Sequence, residues 1–250
     1  MSLKQEIAIK ASFLGKKYQQ QTRRDKTLFR HILSFLGQGP AKRPLWAVRG
    51  VSLEIKRGEC LGIVGPNGSG KSTLLLLLSG ILPPTEGAVE IRGRVSPFFG
   101  LGAGLYTELT VIDNIRLAGV LFGLTRQEIN QKLDSIISFA EIEDYLYARL
   151  SELSSGYQAR AIFSVALHAP IEIVLLDEVF AVGDALFQRK SVALMDALRK
   201  QGKTIITVSH SMEFINAYCS RAIYINKGEI QAEGKPWQVT QKYLQKQGLS

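Results

Sequence analysis

The sequence predicts an α/β protein in which a parallel sheet flanked by helices carries a helical block inserted in its middle. Three observations predict it. Strand and helix patterns alternate at both ends of the chain. The stretch from about 108 to 169 shows helical periodicity alone. The run Ile171–Leu176 is continuously apolar, as in a strand buried on both faces. A chain of 250 residues read as one such domain buries enough surface to fold without staples.

The elements follow in order. Glu6–Phe13, Val51–Ile55 and Cys60–Val64 carry alternating or continuous apolar runs and read as strands. Residues 19–45, between the first two, are rich in Gln, Arg, Lys, Gly and Pro. Within them Leu28, Phe29, Ile32, Leu33, Phe35 and Leu36 recur at helical spacing, which predicts one short amphipathic helix. Gly70–Ser79 reads as a helix closed by Gly80. Thr110-Val-Ile-Asp113 and Thr125-Arg-Gln-Glu128 have the Ser/Thr-x-x-acid form of a capping box, opening helices over 111–122 and 126–140, with Gly123 stopping the first. A third helix is expected from about Ser155 to Ala169, before Pro170. Asp184 can cap a helix ending before Gly202, and Thr204–Ser209 is another strand. Ala222–Ile225 and Glu229–Ala232 flank Asn226-Lys-Gly228 as a hairpin, and Pro236 suits the first position of a closing helix.

Composition narrows the function class. Cys60 and Cys219 form neither a CxxC pair nor a zinc spacing, which excludes a disulfide scaffold and points to a reducing compartment. The apolar stretch Leu74–Leu82 is interrupted by Ser79 and Gly80 and falls far short of the ~20 residues of a membrane span. The start, MSLKQEIAIK, has acidic Glu6 and no apolar core, so no export signal is read there. The expectation is a soluble, cytoplasmic protein. The net charge of +9 calls for an anionic partner: nucleic acid, an anionic membrane surface or a phosphorylated ligand. Much of the excess sits early, at Lys16, Lys17, Arg23, Arg24, Lys26, Arg30, Lys42 and Arg43, where a solvated face is the plainer explanation.

The motif that chooses among these is Gly65-Pro66-Asn67-Gly68-Ser69-Gly70-Lys71-Ser72-Thr73, a full match to G-x-x-x-x-G-K-[ST] between a strand and an apolar helix. Glycines let the backbone curl into a nest of N–H donors, and the helix N-terminus adds its positive end. Lys71 is expected on the β- and γ-phosphates, and the Ser72 hydroxyl on Mg²⁺. The apolar strand Ile173-Val-Leu-Leu ends in Asp177-Glu178. An acidic pair after a strand is by itself an ordinary helix cap. Paired with the phosphate loop, Asp177 becomes a candidate to hold Mg²⁺ through water and Glu178 a general base for the attacking water. His31 and His168 read as structural. His210 follows the strand Thr204–Ser209 at the end where ligands of parallel sheets bind, so its imidazole is a candidate for the γ-phosphate and the attacking water.

Leu153-Ser154-Ser155-Gly156-Tyr157 resembles the LSGGQ signature loop of ABC ATPases, and opens a helix as that loop does. The resemblance covers nearly the whole chain. It implies a P-loop NTPase (RecA-like) core with an antiparallel β subdomain and a helical signature subdomain at about 108–169. In that family two domains pack head to tail, so Ser154 and Gly156 would touch the γ-phosphate bound by the partner copy. Ser155 and Tyr157 depart from the second Gly and the Gln of the common motif. Tyr18 falls where ABC ATPases place the aromatic that stacks on adenine, with Trp46 as its rival, and Phe180-Ala-Val-Gly183-Asp184 occupies the D-loop position.

The Q-loop region reads Pro97-Phe-Phe-Gly-Leu-Gly-Ala-Gly-Leu105 and has no Gln, which removes one expected Mg²⁺ ligand whose place a water could fill. That string, Ser154-Ser-Gly156 and Glu178-Val-Phe-Ala-Val-Gly-Asp184 with Phe187 are similar to the branch that exports O-antigen, capsule and teichoic acid. The resemblance implies the ATPase subunit of a polysaccharide exporter at the cytoplasmic face of a bacterial membrane. ATP, Mg²⁺, an integral-membrane permease on another chain and a homodimer follow from it. Some O-antigen relatives carry a C-terminal carbohydrate-binding domain; with the sequence ending at Ser250, none is expected here, which leaves glycan selection to the permease or this chain's own surface. A DNA-associated ABC ATPase would suit the charge but needs a long coiled coil that the sequence lacks, so no nucleic acid is expected. An importer subunit fits the Q-loop region less well.

Overall fold

The computed structural model describes residues 6–19, 44–95, 105–177 and 185–248, the side chains of 185–191 and 194 excepted. The strands are β1 (Ile7–Gln19), β2 (Pro44–Lys56), β3 (Cys60–Val64), β4 (Glu86–Ile91), β5 (Ile173–Asp177), β6 (Thr204–Val208), β7 (Arg221–Asn226) and β8 (Glu229–Gly234). The helices are α1 (Lys71–Leu78), α2 (Val111–Leu121), α3 (Arg126–Ala140), α4 (Ser155–His168), α5 (Ala185–Lys200), α6 (Met212–Tyr218) and α7 (Pro236–Gln247).

Two sheets form. One is antiparallel, in the order β2-β1-β4; the other runs β5-β6-β3-β7-β8, parallel except for the β7–β8 hairpin. The second sheet separates two cores. On one side Leu61, Ile63, Leu175, Ile206 and Ile223 pack with α1 and the antiparallel sheet. On the other Cys60, Val174, Leu176, Ile205 and Ala222 pack with the helices α2, α3 and α4 and with α6. Successive strand residues face opposite layers, so both must be apolar, which is why these strands read as continuous runs. α1 lies between the two sheets with Leu74, Leu75, Leu77 and Leu78 all buried.

The helical block forms as its caps foretell. The Thr125 hydroxyl accepts from Glu128 N–H while the Glu128 carboxylate accepts from Thr125 N–H, a complete capping box. At α2 the Thr110 hydroxyl accepts from Asp113 N–H and donates to the Asp113 carboxylate. Gly123, at φ 85°, ends that helix, and Pro236 takes the first turn of α7. The β7–β8 turn has Lys227 at φ 50° and Gly228 at φ 81°, the left-handed pair of a two-residue hairpin.

Several expectations need correction. β1 does not end at Phe13: it bulges there, at φ 51°, with Phe13 N–H donating to Ser52 Oγ, and then runs to Gln19. β2 starts at Pro44 rather than Val51 because it pairs with that added length. The strand expected at 171–176 begins two residues later, at Ile173. β4 and α6 were not expected from the sequence. The helix expected within 27–36, Asp184 and the Pro97–Leu105 string up to residue 104 lie outside the described residues.

Candidate functional site

The site is built where three parallel strands end together. Ile63 of β3 pairs with Val208 of β6, and Val208 with Asp177 of β5. The loop Gly65–Gly70, the segment Ser209–His210 and the Asp177 carboxylate therefore leave the same edge of the sheet, with β6 between the other two. This is the edge at which α/β sheets bind ligands.

The loop's shape depends on what its glycines omit. A Cβ on Gly65 would stand 2.2 Å from Ile225 O, and one on Gly70 2.1 Å from Ala47 O. Backbone from β7 and β2 thus presses directly on the loop. The hairpin turn completes the bracket: Gly228 N–H donates to Ser69 O at 2.9 Å, and Arg49 N–H to Gly228 O at 2.9 Å. Ala47 and Gly228 are the positioning groups that sequence reasoning missed. Asn226-Lys-Gly228 was legible as a turn, but the contact of Gly228 with Ser69, 159 residues earlier, has no local signal.

Within the nest, Lys71 is buried, and its ammonium donates to Gly65 O at 2.9 Å and Pro66 O at 3.1 Å. Asn67, Gly68 and Ser72 are exposed at the mouth, with Pro66, Gly70 and Thr73 half-buried. The Ser69 hydroxyl is buried inside the loop, with no hydrogen-bond partner among the described residues. The first N–H groups of α1 have no intrahelical acceptor, so donors and helix dipole face one point. This cradle of backbone donors, with the Lys71 ammonium inside it, suits a phosphate chain. Ser72 and Asp177 offer one hydroxyl and one carboxylate, hard oxygen donors of the kind Mg²⁺ takes alongside phosphate oxygens. Among the described residues no cluster of three or more His, Cys, Asp and Glu could hold a metal by itself.

His210 is exposed just past β6, and the preceding Ser209 hydroxyl accepts from Ser211 N–H at 3.0 Å. Tyr18 and Trp46 lie on the adjoining rungs Tyr18–Leu45 and Lys17–Trp46 of the β1–β2 ladder. The Lys17 ammonium stands 4.4 Å over the Trp46 ring and Lys16 stands 6.0 Å over Tyr18. Both aromatics therefore sit at the end of the β1–β2 ladder next to which Ala47 meets the loop. Glu178, Gly183 and Asp184 lie outside the described residues.

The segment Leu153–Tyr157 belongs to the helical block. Leu153 is buried, Ser154 is the N-cap of α4, Ser155 is exposed, and Gly156 and Tyr157 are half-buried in its first turn. Among the described residues no hydrogen bond or ion pair joins it to the Gly65–Gly70 loop. Tyr157 packs on Tyr145, ring centroids 5.0 Å apart, and charge repulsion from and hydrogen bonding to Tyr157 push the Tyr145 hydroxyl up.

Comparison with known proteins agrees with this geometry. The ABC_tran family, described as ABC transporter, matches residues 48–181. The teichoic acids export ATP-binding protein TagH of Levilactobacillus brevis is 43% identical over 213 residues, 85% of this chain and 59% of that protein. The O-antigen export system ATP-binding protein RfbB of Myxococcus xanthus is 41% identical over 197 residues, 79% of this chain and 45% of that protein. The TagH of Lactococcus lactis is 39% identical, covering 95% of this chain and 51% of its own length. The chain thus spans about half the length of these curated relatives. An ATP-binding cassette solved as a dimer in a post-hydrolysis state with ADP and Pi superposes with a TM-score of 0.72. It is 25% identical, over 91% of this chain and 98% of that one. Motif, sheet edge and relatives converge, and the chain belongs to the ABC transporter family.

Proposed function

We propose that this chain is the ATP-hydrolysing subunit of an ABC transporter that exports a lipid-linked cell-surface polysaccharide across a bacterial cytoplasmic membrane. The observation that carries the ATPase reading is the shared sheet edge, where the P-loop nest, Asp177 and Ser209–His210 emerge from adjoining strands. The substrate class is supported by 39–43% identity to proteins named for teichoic acid and O-antigen export.

In this reading residues 1–250 act as one ATPase domain with its helical part at about 108–169. Lys71 moves its ammonium from Gly65 O and Pro66 O onto the β- and γ-phosphates of ATP. Ser72 would ligate Mg²⁺ and Asp177 would hold it through water; the ion, when bound, would supply neutralisation of the charge on the transferring phosphoryl group. Glu178 takes the proton of the attacking water, and His210 contacts the γ-phosphate and orients that water. Tyr18, or Trp46 beside it, stacks on adenine. Ser154 and Gly156 close over the nucleotide of a second copy, with Gly183 and Asp184 at the same contact, so the working form is a homodimer around two Mg·ATP. A permease on a separate chain carries the glycan and holds this subunit at the cytoplasmic face.

The experiment is a pair of variants in the assembled transporter. Glu178→Gln keeps the shape and removes the base, so ATP binding persists while turnover falls at least ~100-fold. Ser154→Arg blocks the nucleotide contact in trans and abolishes ATP-dependent dimerisation. Near-wild-type hydrolysis in both overturns the roles given to Glu178 and Ser154, and a wild-type transporter that does not hydrolyse ATP overturns the ATPase reading. Deleting the gene tests the substrate: surface polysaccharide is lost and its lipid-linked form accumulates inside. An unchanged surface overturns the export reading alone.

A further inference from the structure

We infer that Gln158 is the positioning residue of the Leu153–Tyr157 segment, clamping the backbone that presents Ser154. The inference rests on the ATPase reading and deepens it at a residue no motif marks.

Ser154 caps α4 with extended backbone, φ −62° and ψ 155°, yet its side chain makes no cap hydrogen bond. An N-cap serine ordinarily spends its hydroxyl on its own helix, which fixes where the helix begins. Here another group must fix that point. The Gln158 side-chain amide does so: Nε2 donates to Leu150 O and to Leu153 O, each at 3.0 Å. An –NH₂ group has two protons, and both are used, so the side chain has one orientation. The backbone joins in, with Gln158 N–H donating to Ser154 O at 3.1 Å and Leu153 N–H to Leu150 O at 3.2 Å. Leu150 and Leu153 are buried at 0% and 8% exposure, so the clamp is tied to the core of the helical block.

The neighbouring position is differently employed. Tyr157 stands between the Tyr145 ring at 5.0 Å and the Arg160 guanidinium at 4.7 Å, an aromatic turned to its own block. With that side chain committed to packing, the polar work of holding the segment falls to Gln158, about 100° further around the helix. The clamp leaves the Ser154 hydroxyl unspent on its helix and holds the backbone beside it. A group that must meet a phosphate across a dimer interface needs this, because small misplacements of a contacting group cost large factors in rate.

Two variants separate the clamp from ordinary packing. Gln158→Leu removes both donors, and Gln158→Glu keeps the shape but turns carboxylate oxygens toward two carbonyls. Gln158→Lys restores a donor. The expected result is about a tenfold fall in kcat for Leu and Glu, with partial recovery for Lys. Affinity of the single chain for a fluorescent ATP analogue stays at the wild-type value, and Tm falls by only about 2–6 °C for the two orphaned carbonyls, with kcat read well below either Tm. Independently of any activity, amide exchange of residues 150–156 in the nucleotide-free chain is faster in Leu and Glu than in wild type. Wild-type kcat and exchange in Gln158→Leu overturn the inference, as does a loss of kcat that only follows a loss of Tm. Should wild type neither hydrolyse ATP nor dimerise with it, the ATPase reading falls, while the exchange experiment still decides whether Gln158 holds the segment.

Discussion

At the scale of single residues, glycines in one loop have different reasons to be there. Gly68 sits at φ 74° with nothing within 4 Å of where a Cβ would lie, so only the left-handed backbone excludes a side chain. Gly70, at φ 106°, has that cost and also the Ala47 carbonyl 2.1 Å from the missing Cβ. Gly68→Ala should therefore cost about 1–2 kcal/mol and leave the loop usable. Gly70→Ala adds a clash with backbone that cannot swing away, and should cost about 3 kcal/mol or more while pushing β2 off the loop. Urea unfolding of the two variants checks the ranking, and equal losses would remove Ala47 from the argument. The motif was legible in the sequence as a phosphate cradle. Why its last glycine must be a glycine was not, because the clashing carbonyl comes from a strand 23 residues earlier.

At the scale of elements, legibility followed burial and local chemistry. α3 could be read to its first residue because its cap is made by neighbours in sequence. Hydrogen bonds from the Thr125 backbone N–H and hydroxyl hold the Glu128 carboxyl below its ordinary value near 4.5. A carboxyl whose folded pKa is depressed contributes stability above its unfolded pKa and loses it as pH falls through the folded one. Glu128→Gln should thus lower Tm at neutral pH, and the gap to wild type should close as pH drops below 4.5. A gap that persists unchanged in acid would show that charge plays no part in the cap; Tm measured across pH decides. β4 was missed for the opposite reason. Four of its six residues are exposed, Glu86, Gly87 and Ala88 consecutively and then Glu90, so no clear period-2 signal forms. α6, seven residues long, offers two turns and too little periodicity to declare itself. The outer ends of β1 and β2, Lys17–Gln19 against Pro44–Trp46, are largely exposed, and only their pairing defines them as strand.

At the scale of the whole molecule, the strand order does what the motifs alone cannot. Asp177 and Ser209–His210 were each found by following a strand to its end, but chain order does not say that β6 lies between β3 and β5. The same strand also reaches the helical block from its other end. Lys203, immediately before β6, is buried at 8% exposure and donates to Ala166 O, Leu167 O and Ala169 O at the C-terminus of α4. Lys132 of α3 donates to His168 O at 2.8 Å. Four carbonyls at the negative end of α4 thus receive two ammonium groups, one of them from the sheet layer, while Ser154 stands at the helix's other end. Burial, then the nearby Lys132 charge, push the Lys203 pKa below 10.5. Replacing a buried charge by an apolar group can be neutral when its partners are replaced too. Here the carbonyls remain, so Lys203→Met orphans up to three acceptors and should cost about 2–3 kcal/mol. The pH dependence gives the second readout. Between the lowered folded pKa and 10.5 the unfolded chain binds more protons at Lys203 than the folded one, so this residue makes stability rise with pH there. The difference in unfolding free energy between wild type and Lys203→Met should therefore widen from neutral pH toward 10.5. Urea titrations at a series of pH values measure it. A difference that shrinks with rising pH would mean that the ammonium is favoured, not penalised, in the fold, and that its bonds to α4 outweigh its burial.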